Sequence, residues 1–398
     1  MPAPLSFTVA RSTILDAVGS LRVLPPIEIV DLREAAGRVL AAPVYADRDY
    51  PPLNRSMRDG FAVRAADAPG TLTVIGEVRA GELFDREVQA GHAVEIMTGA
   101  PVPAGTDAVV MLEHVRVDSD LVIIDRHLSP GLNVSPRGCD AIAGSEVLHA
   151  GQRVGYPEVA VLATIGMLRV PVFRRPRVAI LTTGDEILEA GADPLPHQIR
   201  DSNAWSLAAQ VRRAGGDPFV LPAAPDSVQQ TTDLVGEGLK ADLLLISGGV
   251  SAGKYDLVEG VLAEYGGEFY FNRVLVQPGQ PLVFGRVQET FVFGLPGNPA
   301  STMVCFEVFA RAAVELLGGQ AQPMLPLTEA VLSAEFRHRP GLTRFLPASL
   351  SADGTSVTPV PWSGSGDVMA LARANAFLVA ESDKPHYAAG ERIRVLMR

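Results

Sequence analysis

The chain has only two cysteines, Cys139 and Cys305, and neither sits in a Cys-x-x-Cys or Cys/His spacing. That excludes a structural zinc of the usual tetrahedral kind and fits a reducing, cytosolic compartment. The seven histidines, His92, His114, His127, His149, His197, His338 and His386, show no His-x-x-x-His spacing and read as surface or packing residues. Long apolar runs are missing as well: no stretch reaches the roughly 18 residues of a membrane span, and the N-terminus lacks the basic region and apolar core of an export signal. Positive charge is also in short supply. Lys and Arg total 34 against 45 Asp and Glu, a formal net charge of -11, whereas nucleic-acid binding rewards clustered cations. The expectation is a cytoplasmic protein with no nucleic-acid or membrane partner, in which any anionic ligand is held by local groups.

What is present is material for several cores. At 398 residues, 47% hydrophobic and 20% charged, the chain exceeds the usual length of one domain. Phe7 to about Arg38 is predicted helical, with Ile14, Leu15, Val18 and Leu21 at helical spacing and a second short helix around Leu32 to Val39. From Tyr45 to about Asp140, Val/Ile-rich runs such as Thr71 to Val78 and Ala108 to Val117 alternate with Gly and Pro. This predicts a β-rich region whose loops carry Asp59 and Thr98. A helical pattern follows from Tyr156 to Gly166. Beyond Arg177, strand runs at Val178 to Leu181, Phe219 to Leu221, Leu243 to Ile246 and Thr290 to Phe293 alternate with helices. One helix covers Asn203 to Arg213, capped by Ser202 or Asn203 and stopped at Gly215-Gly216, and a longer one covers Thr302 to Leu317. This alternation predicts a doubly wound parallel sheet with helices on both faces. From Leu327 to Arg398 the strand pattern returns, as a small β-barrel or sandwich.

In open α/β sheets, ligands sit beyond the carboxyl ends of the strands. The loops there are rich in Gly and hydroxyl or amide side chains: Thr182-Thr183-Gly184-Asp185-Glu186, then Ser247-Gly248-Gly249-Val250-Ser251-Ala252-Gly253, then Gly294-Leu295-Pro296-Gly297-Asn298-Pro299-Ala300-Ser301. Glycine lets a backbone approach a ligand and expose its N-H groups, and the helix after Ser301 adds a field that favours an anion. Any one such loop also fits an ordinary tight turn; three on one sheet edge point to a phosphate or pterin cradle. Asp59, Asp140, Glu186, Asp201, Asp226 and Asp256 fall in loops near Gly, Ser or Pro. A lone loop Asp is more simply a turn or cap residue, but a diphosphate ligand needs a hard cation such as Mg2+, held by carboxylate oxygens. Neither cysteine has a histidine partner by motif, so the chemistry is expected to rest on positioning and electrostatics.

The segment Pro51-Pro52-Leu53-Asn54-Arg55-Ser56-Met57-Arg58-Asp59-Gly60-Phe61-Ala62 resembles the Ser-Ala-Met-Asp-Gly-Tyr-Ala signature of the MoeA and gephyrin E-domain family, the molybdopterin molybdenumtransferases. Ile96-Met97-Thr98-Gly99-Ala100-Pro101-Val102-Pro103, with Asp107-Ala108-Val109-Val110 and Glu113, matches its next block. Asn133 to Asp140, Thr183-Gly184-Asp185-Glu186, Asp201-Ser202-Asn203, Gly248 to Gly253, Pro278-Gly279-Gln280-Pro281 and Leu295-Pro296-Gly297-Asn298-Pro299 follow in the family's order. The resemblance implies an elongated, multi-domain chain of α/β plus β class. Its regions are a helical N-terminal and linker region (1–45 and 141–172), a β-rich domain (46–140), a doubly wound, MogA-like molybdopterin-binding α/β domain (173–325) and a C-terminal β-barrel (326–398). It further implies a homodimer in which the sheet domain faces the β-rich domain of the other subunit. The implied reaction is Mg2+-dependent cleavage of adenylyl-molybdopterin, release of AMP and insertion of molybdate, with the adenylyltransferase of the same pathway a candidate partner.

On that resemblance Asp59, Thr98, Asp140, Glu186, Asp226 and Asp256 are the catalytic candidates, and Asp59, Glu186 and Asp256 the metal candidates. Thr183, Gly184, Ser202, Asn203, Ser247, Gly248, Gly249, Ser251, Pro278, Gly279, Pro281, Pro296, Gly297, Asn298, Pro299 and Ser301 are expected to hold the pterin nucleotide. Gln277, Gln280, Arg344 and Ser365 are expected at molybdate. There the chain departs from the family, with Gln277 and Gln280 where lysines are usual and Leu342 where an arginine is often found; Lys254 and Arg344 are candidate substitutes. Ser135 and Cys139 are lesser departures beside Arg137 and Asp140. An alternative is a paralogue that binds the pterin nucleotide but acts as a dimeric scaffold for a protein partner. A generic nucleotide-binding α/β enzyme explains the Gly loops but not the Asp59 and Thr98 blocks.

Overall fold

The computed structural model describes residues 3–249 and 258–398; Ser251, Lys254 and Asp256 lie outside them. The chain forms two compact units, one of Met1–Ala41, Gly151–Gly155 and Arg169–Arg398, the other of Ala42–Ala150 and Tyr156–Leu168.

The first unit holds the sheet. Its elements are α1 (Phe7–Leu21), β1 (Arg177–Thr182), α2 (Asn203–Ala214), β2 (Asp217–Val220), α3 (Val228–Gly238), β3 (Leu243–Ser247), α4 (Val258–Glu264), β4 (Glu268–Arg273), β5 (Pro281–Val287), β6 (Thr290–Leu295) and α5 (Pro299–Cys305). α5 runs on through a π-helical turn, Phe306–Ala310, into α6 (Arg311–Leu317). The strand order is β2-β1-β3-β6-β5-β4. The first four strands are parallel, as their continuous apolar runs require, because a parallel strand is buried on both faces. Val178 and Ile180 of β1 pack with α1, α2, α5 and α6, whereas Ala179 and Leu181 pack with α3 and α4. The doubly wound expectation therefore holds. β5 and β4 extend the sheet antiparallel to β6, an addition the apolar pattern did not reveal.

From β1 the chain crosses to β2 on one side and returns to β3 on the other, so the winding reverses between β1 and β3. That reversal opens a crevice at the carboxyl ends of the strands.

The C-terminal strands are β7 (Leu327–Leu332), β8 (Thr343–Leu350), β9 (Ser356–Pro359), β10 (Ala376–Ala380) and β11 (Arg392–Met397), with α7 (Val368–Arg373) before β10. They pair in the order β8-β9-β7-β11-β10, and β10 pairs back to β8, closing a five-stranded barrel. Ala348, Leu378 and Val395 fill it. Closure leaves no free edge among those five strands.

The second unit is β-rich, as expected. Its six-stranded sheet orders Ala108–Met111, Gly60–Val63, His92–Ile96, Gly70–Val78, Leu121–Ile124 and Arg116–Asp118, with apolar clusters around Phe61 and Val110 and around Val94 and Val109.

Several local expectations need correction. The short helix around Leu32 to Val39 is a single 3-10 turn, Leu32–Glu34, after a strand, Ile27–Asp31, that pairs with Arg169–Phe173. Asp31 accepts the Arg33 amide at 3.0 Å, which favours the tight turn over a helix. The run Ala108 to Val117 is broken by another 3-10 turn, Leu112–His114. The long helix begins at Pro299 rather than Thr302, since proline suits the first helical turn. At the start of α2, Ser202 occupies the cap position without a side-chain bond; Asp201 accepts the Ala204 amide instead, at 2.9 Å.

Candidate functional site

The crevice between β1 and β3 is a cavity of about 520 Å3, within the range of small-molecule sites. Three of the glycine-bearing loops meet there. Thr183, Gly184 and Glu186 follow β1, Ser247, Gly248 and Gly249 follow β3, and Pro296, Gly297, Asn298 and Pro299 follow β6. Asp201, Ser202, Asn203, Asp226 and Pro281 complete the set of sequence-selected residues in its wall.

Close approach explains two of the glycines. A Cβ on Gly248 would stand 2.7 Å from the Thr183 carbonyl oxygen, and one on Gly184 would stand 2.6 Å from a Glu186 carboxylate oxygen. Both have positive φ, 99° and 142°, where a side chain is strained.

A buried polar lattice fixes the floor. Asn203 Nδ2 donates to Ser247 Oγ at 2.9 Å and to the Gly297 carbonyl at 2.7 Å, while Asn203 Oδ1 is buried without a partner among the described residues. Ser247 Oγ donates to the Pro296 carbonyl at 3.2 Å, and Thr302 Oγ1 donates to the same carbonyl. Thr182 Oγ1 donates to Asp201 Oδ2 at 2.6 Å. The three loops are thus tied to one another rather than independently placed.

The acids of this crevice crowd one another. The Asp226 carboxyl is pushed above the ordinary carboxylate range, first by burial and then by Asp185 and Glu186. Asp185 also accepts the Asp226 amide at 2.9 Å. Like charges held together in this way suit a hard cation. No group of three potential metal ligands occurs among the described residues. Glu186 lines the cavity, Asp59 belongs to the second unit and Asp256 lies outside the described residues.

In the second unit Asp59 and Thr98 are bonded as a pair. Asp59 Oδ1 accepts the Thr98 amide at 2.6 Å and its hydroxyl at 2.9 Å. The amide bond first, then the hydroxyl, hold the Asp59 carboxyl below its ordinary value. Gly60 follows Asp59 because a Cβ would meet the Val110 carbonyl oxygen. Asp140 is exposed, with its amide bonded to the Tyr50 carbonyl at 2.9 Å, and Cys139 Sγ lies 3.6 Å from its carboxylate.

Other expected residues fall elsewhere. Ser301 is buried in α5 and does not line the cavity; the Ala300 amide before it is taken by the Ser365 carbonyl at 2.9 Å. Pro278 and Gly279 are buried and also outside the lining, with Cys305 Sγ donating to the Gly279 carbonyl at 3.6 Å. Gln280 is exposed beside Pro281. Gln277 pairs with Arg344 of β8 in a short parallel ladder.

The cavity also includes Ile187, Ile199 and Arg200, which the sequence did not put in the site. All three lie in a two-residue parallel ladder, Ile187–Leu188 with Ile199–Arg200, too short to carry a periodic signal.

The chain matches three family models: the MoeA N-terminal region (domain I and II) over residues 5–166, a probable molybdopterin binding domain over 179–316 and the MoeA C-terminal region (domain IV) over 329–397. A molybdopterin molybdenumtransferase of Bacillus subtilis is 36% identical over 93% of this chain and 89% of its own. Molybdopterin molybdenumtransferase 2 of Mycobacterium tuberculosis is 36% identical over 94% of this chain and 96% of its own. The crystal structure of a molybdopterin biosynthesis MoeA protein from Pyrococcus horikoshii superposes with a TM-score of 0.81 at 28% identity, covering all of both chains. With its sheet, its barrel and its ordered motifs matched from end to end, the chain belongs to the MoeA family of molybdopterin molybdenumtransferases.

Proposed function

We propose that this enzyme cleaves adenylyl-molybdopterin, releases AMP and inserts molybdate into the dithiolene, in the cytoplasm and as a homodimer. The observation that carries the reading is the crevice at the switch point of the sheet, walled by three tied loops and lying within the segment matched by the molybdopterin-binding model. The names of the relatives favour a transferase over the scaffold alternative. Two further observations support the setting. Among the described residues no helix is long and apolar enough to cross a membrane. Val23, Leu24, Ile27 and Ile29 are all exposed, apolar surface that a second copy of the chain would cover.

In this reading the Asn203, Ser247 and Pro296 lattice holds the loops so that the substrate meets a preformed wall. Glu186 and Asp226 are assigned to Mg2+. The oxygens of Asp201 are committed to Thr182 and Ala204, which leaves those two carboxylates free for it. When bound, the cation neutralises charge on the phosphates undergoing cleavage. Asp59, ionised and oriented by Thr98, is assigned to the same reaction through its retained motif, as is Asp140.

Molybdate is assigned to Gln277, Gln280, Arg344 and Ser365. Arg344 has no carboxylate within ion-pair distance among the described residues, and its Nε is buried without an acceptor. Burial and the nearby Arg339 lower its pKa, so an oxyanion there relieves both. Incubating the purified chain with adenylyl-molybdopterin, Mg2+, molybdate and an apo-molybdoenzyme tests the proposal. Molybdate-dependent activation of the apoenzyme is expected; activation that never depends on this chain would refute it.

A further inference from the structure

The cavity is electronegative. Glu186, Asp201 and Asp226 line it, yet an adenylylated pterin brings a diphosphate. Backbone amides of the glycine loops are the expected counterweight, but many are already used. The Thr183 amide donates to the Ser247 carbonyl at 3.0 Å, that of Gly184 to Ala224 at 3.0 Å, that of Gly248 to Leu295 at 3.1 Å and that of Ala300 to Ser365 at 2.9 Å. These donors close the strand ends and the helix start, and are spent before a ligand arrives.

Among the described residues, Arg200 is the only Lys, Arg or His that lines the cavity. We propose that Arg200 is the side chain that grips the substrate's phosphates in this crevice, an inference that rests on the function proposed above. Arg200 ends the short ladder in which Ile199 and Arg200 pair with Ile187 and Leu188. The ladder's two ends are anchored: the Ile199 amide donates to the Glu186 carbonyl at 2.8 Å and the Asp201 amide to the Leu188 carbonyl at 2.7 Å.

The guanidinium is oriented without being neutralised. Its Nε donates to the Ala192 carbonyl at 2.7 Å. Its nearest carboxylate, Asp193, is 3.6 Å away and fully exposed, a pair that water largely screens. The far edge of the planar group remains available, and its fork of donors matches phosphate oxygens in a way a lysine does not. The positive side chain and the acids Glu186 and Asp226 therefore stand in one wall, one gripping phosphate directly and the others through a cation.

The test measures the affinity of the full chain for adenylyl-molybdopterin over a range of salt, for wild type, Arg200→Ala, Arg200→Lys and Asp193→Ala. Arg200→Ala is expected to weaken binding roughly ten- to hundredfold and to flatten its salt dependence. Arg200→Lys should recover part of the loss, and Asp193→Ala should bind at least as tightly as wild type. Wild-type affinity and salt dependence in Arg200→Ala overturns the inference. So does an equal loss in the Ala and Lys variants, which marks a structural role for the side chain. A wild-type chain that binds no adenylyl-molybdopterin overturns the proposed function itself and this inference with it.

Discussion

Gln277 and Arg344 are cross-strand partners in the parallel ladder that joins Val276–Gln277 to β8. The neutral amide of Gln277, at a position where the resemblance implies a lysine, thus stands opposite a cation that has no carboxylate partner among the described residues. Arg344→Gln is expected to raise the molybdate concentration for half-maximal turnover by about tenfold or more, since a charge-assisted bond contributes on the order of 1.5–3 kcal/mol. Gln277→Lys with Gln280→Lys should lower that concentration. Steady-state assays at varied molybdate read both; an unchanged requirement in Arg344→Gln removes Arg344 from the site.

Gly279 is packed against Cys305. It has φ of 112°, and an added Cβ would lie 2.2 Å from Cys305 Sγ. Gly279→Ala is therefore expected to cost about 1–3 kcal/mol of stability, read as a lowered denaturation midpoint. Adding Cys305→Ala should return part of the loss by removing the sulfur.

The two thiols differ in environment. Cys139 is exposed, whereas Cys305 is fully buried and burial pushes its pKa well above that of a free thiol. A thiol reagent at pH 8 is expected to modify Cys139 in the native chain and both cysteines only in denaturant. Native labelling of Cys305 would contradict the packing of α5 against the Gly279 turn.

Asp367 caps α7 and holds the loop that contacts α5. Its carboxylate accepts the Ser363 amide at 3.0 Å and the Ala370 amide at 2.9 Å, bonds that, with the Ser363 amide first, hold its pKa below the ordinary value. A carboxyl depressed in the folded state contributes stability that is present above its unfolded pKa of about 3.9 and is lost as pH falls through the folded value. Asp367→Asn should therefore melt lower than wild type at pH 7, with the difference narrowing in acid. A difference independent of pH would show that the charge of Asp367 contributes nothing.

The sheet was legible because β1, β3 and β6 are buried on both faces and so read as uninterrupted apolar runs. The loops after them were legible because glycine is required where backbones nearly touch, as Gly248 does against Thr183. β4 and β5 were not. Phe269, Tyr270 and Phe271 are the only apolar residues of one short strand, and Pro281 opens the next. The helical spacing of Ile14, Leu15, Val18 and Leu21 does not reach the strand Ile27–Asp31, whose five residues after Pro25-Pro26 are too few to carry a period of their own. Spacing could select Asp226 and Glu186 as loop acids, but only tertiary structure brings Arg200 to the same wall. Nor does a glycine motif disclose that amides such as those of Gly184 and Gly248 are taken up by the fold.

AMP release from adenylyl-molybdopterin by the full chain tests the central claim most directly, measured with and without molybdate and repeated with Asp226→Asn. The account expects AMP release that requires Mg2+, is completed by molybdate and is slowed at least tenfold in the variant, because Asp226 is assigned to the cation in the crevice. AMP release at the wild-type rate in Asp226→Asn, or no release by the wild-type chain at any molybdate concentration, would contradict it.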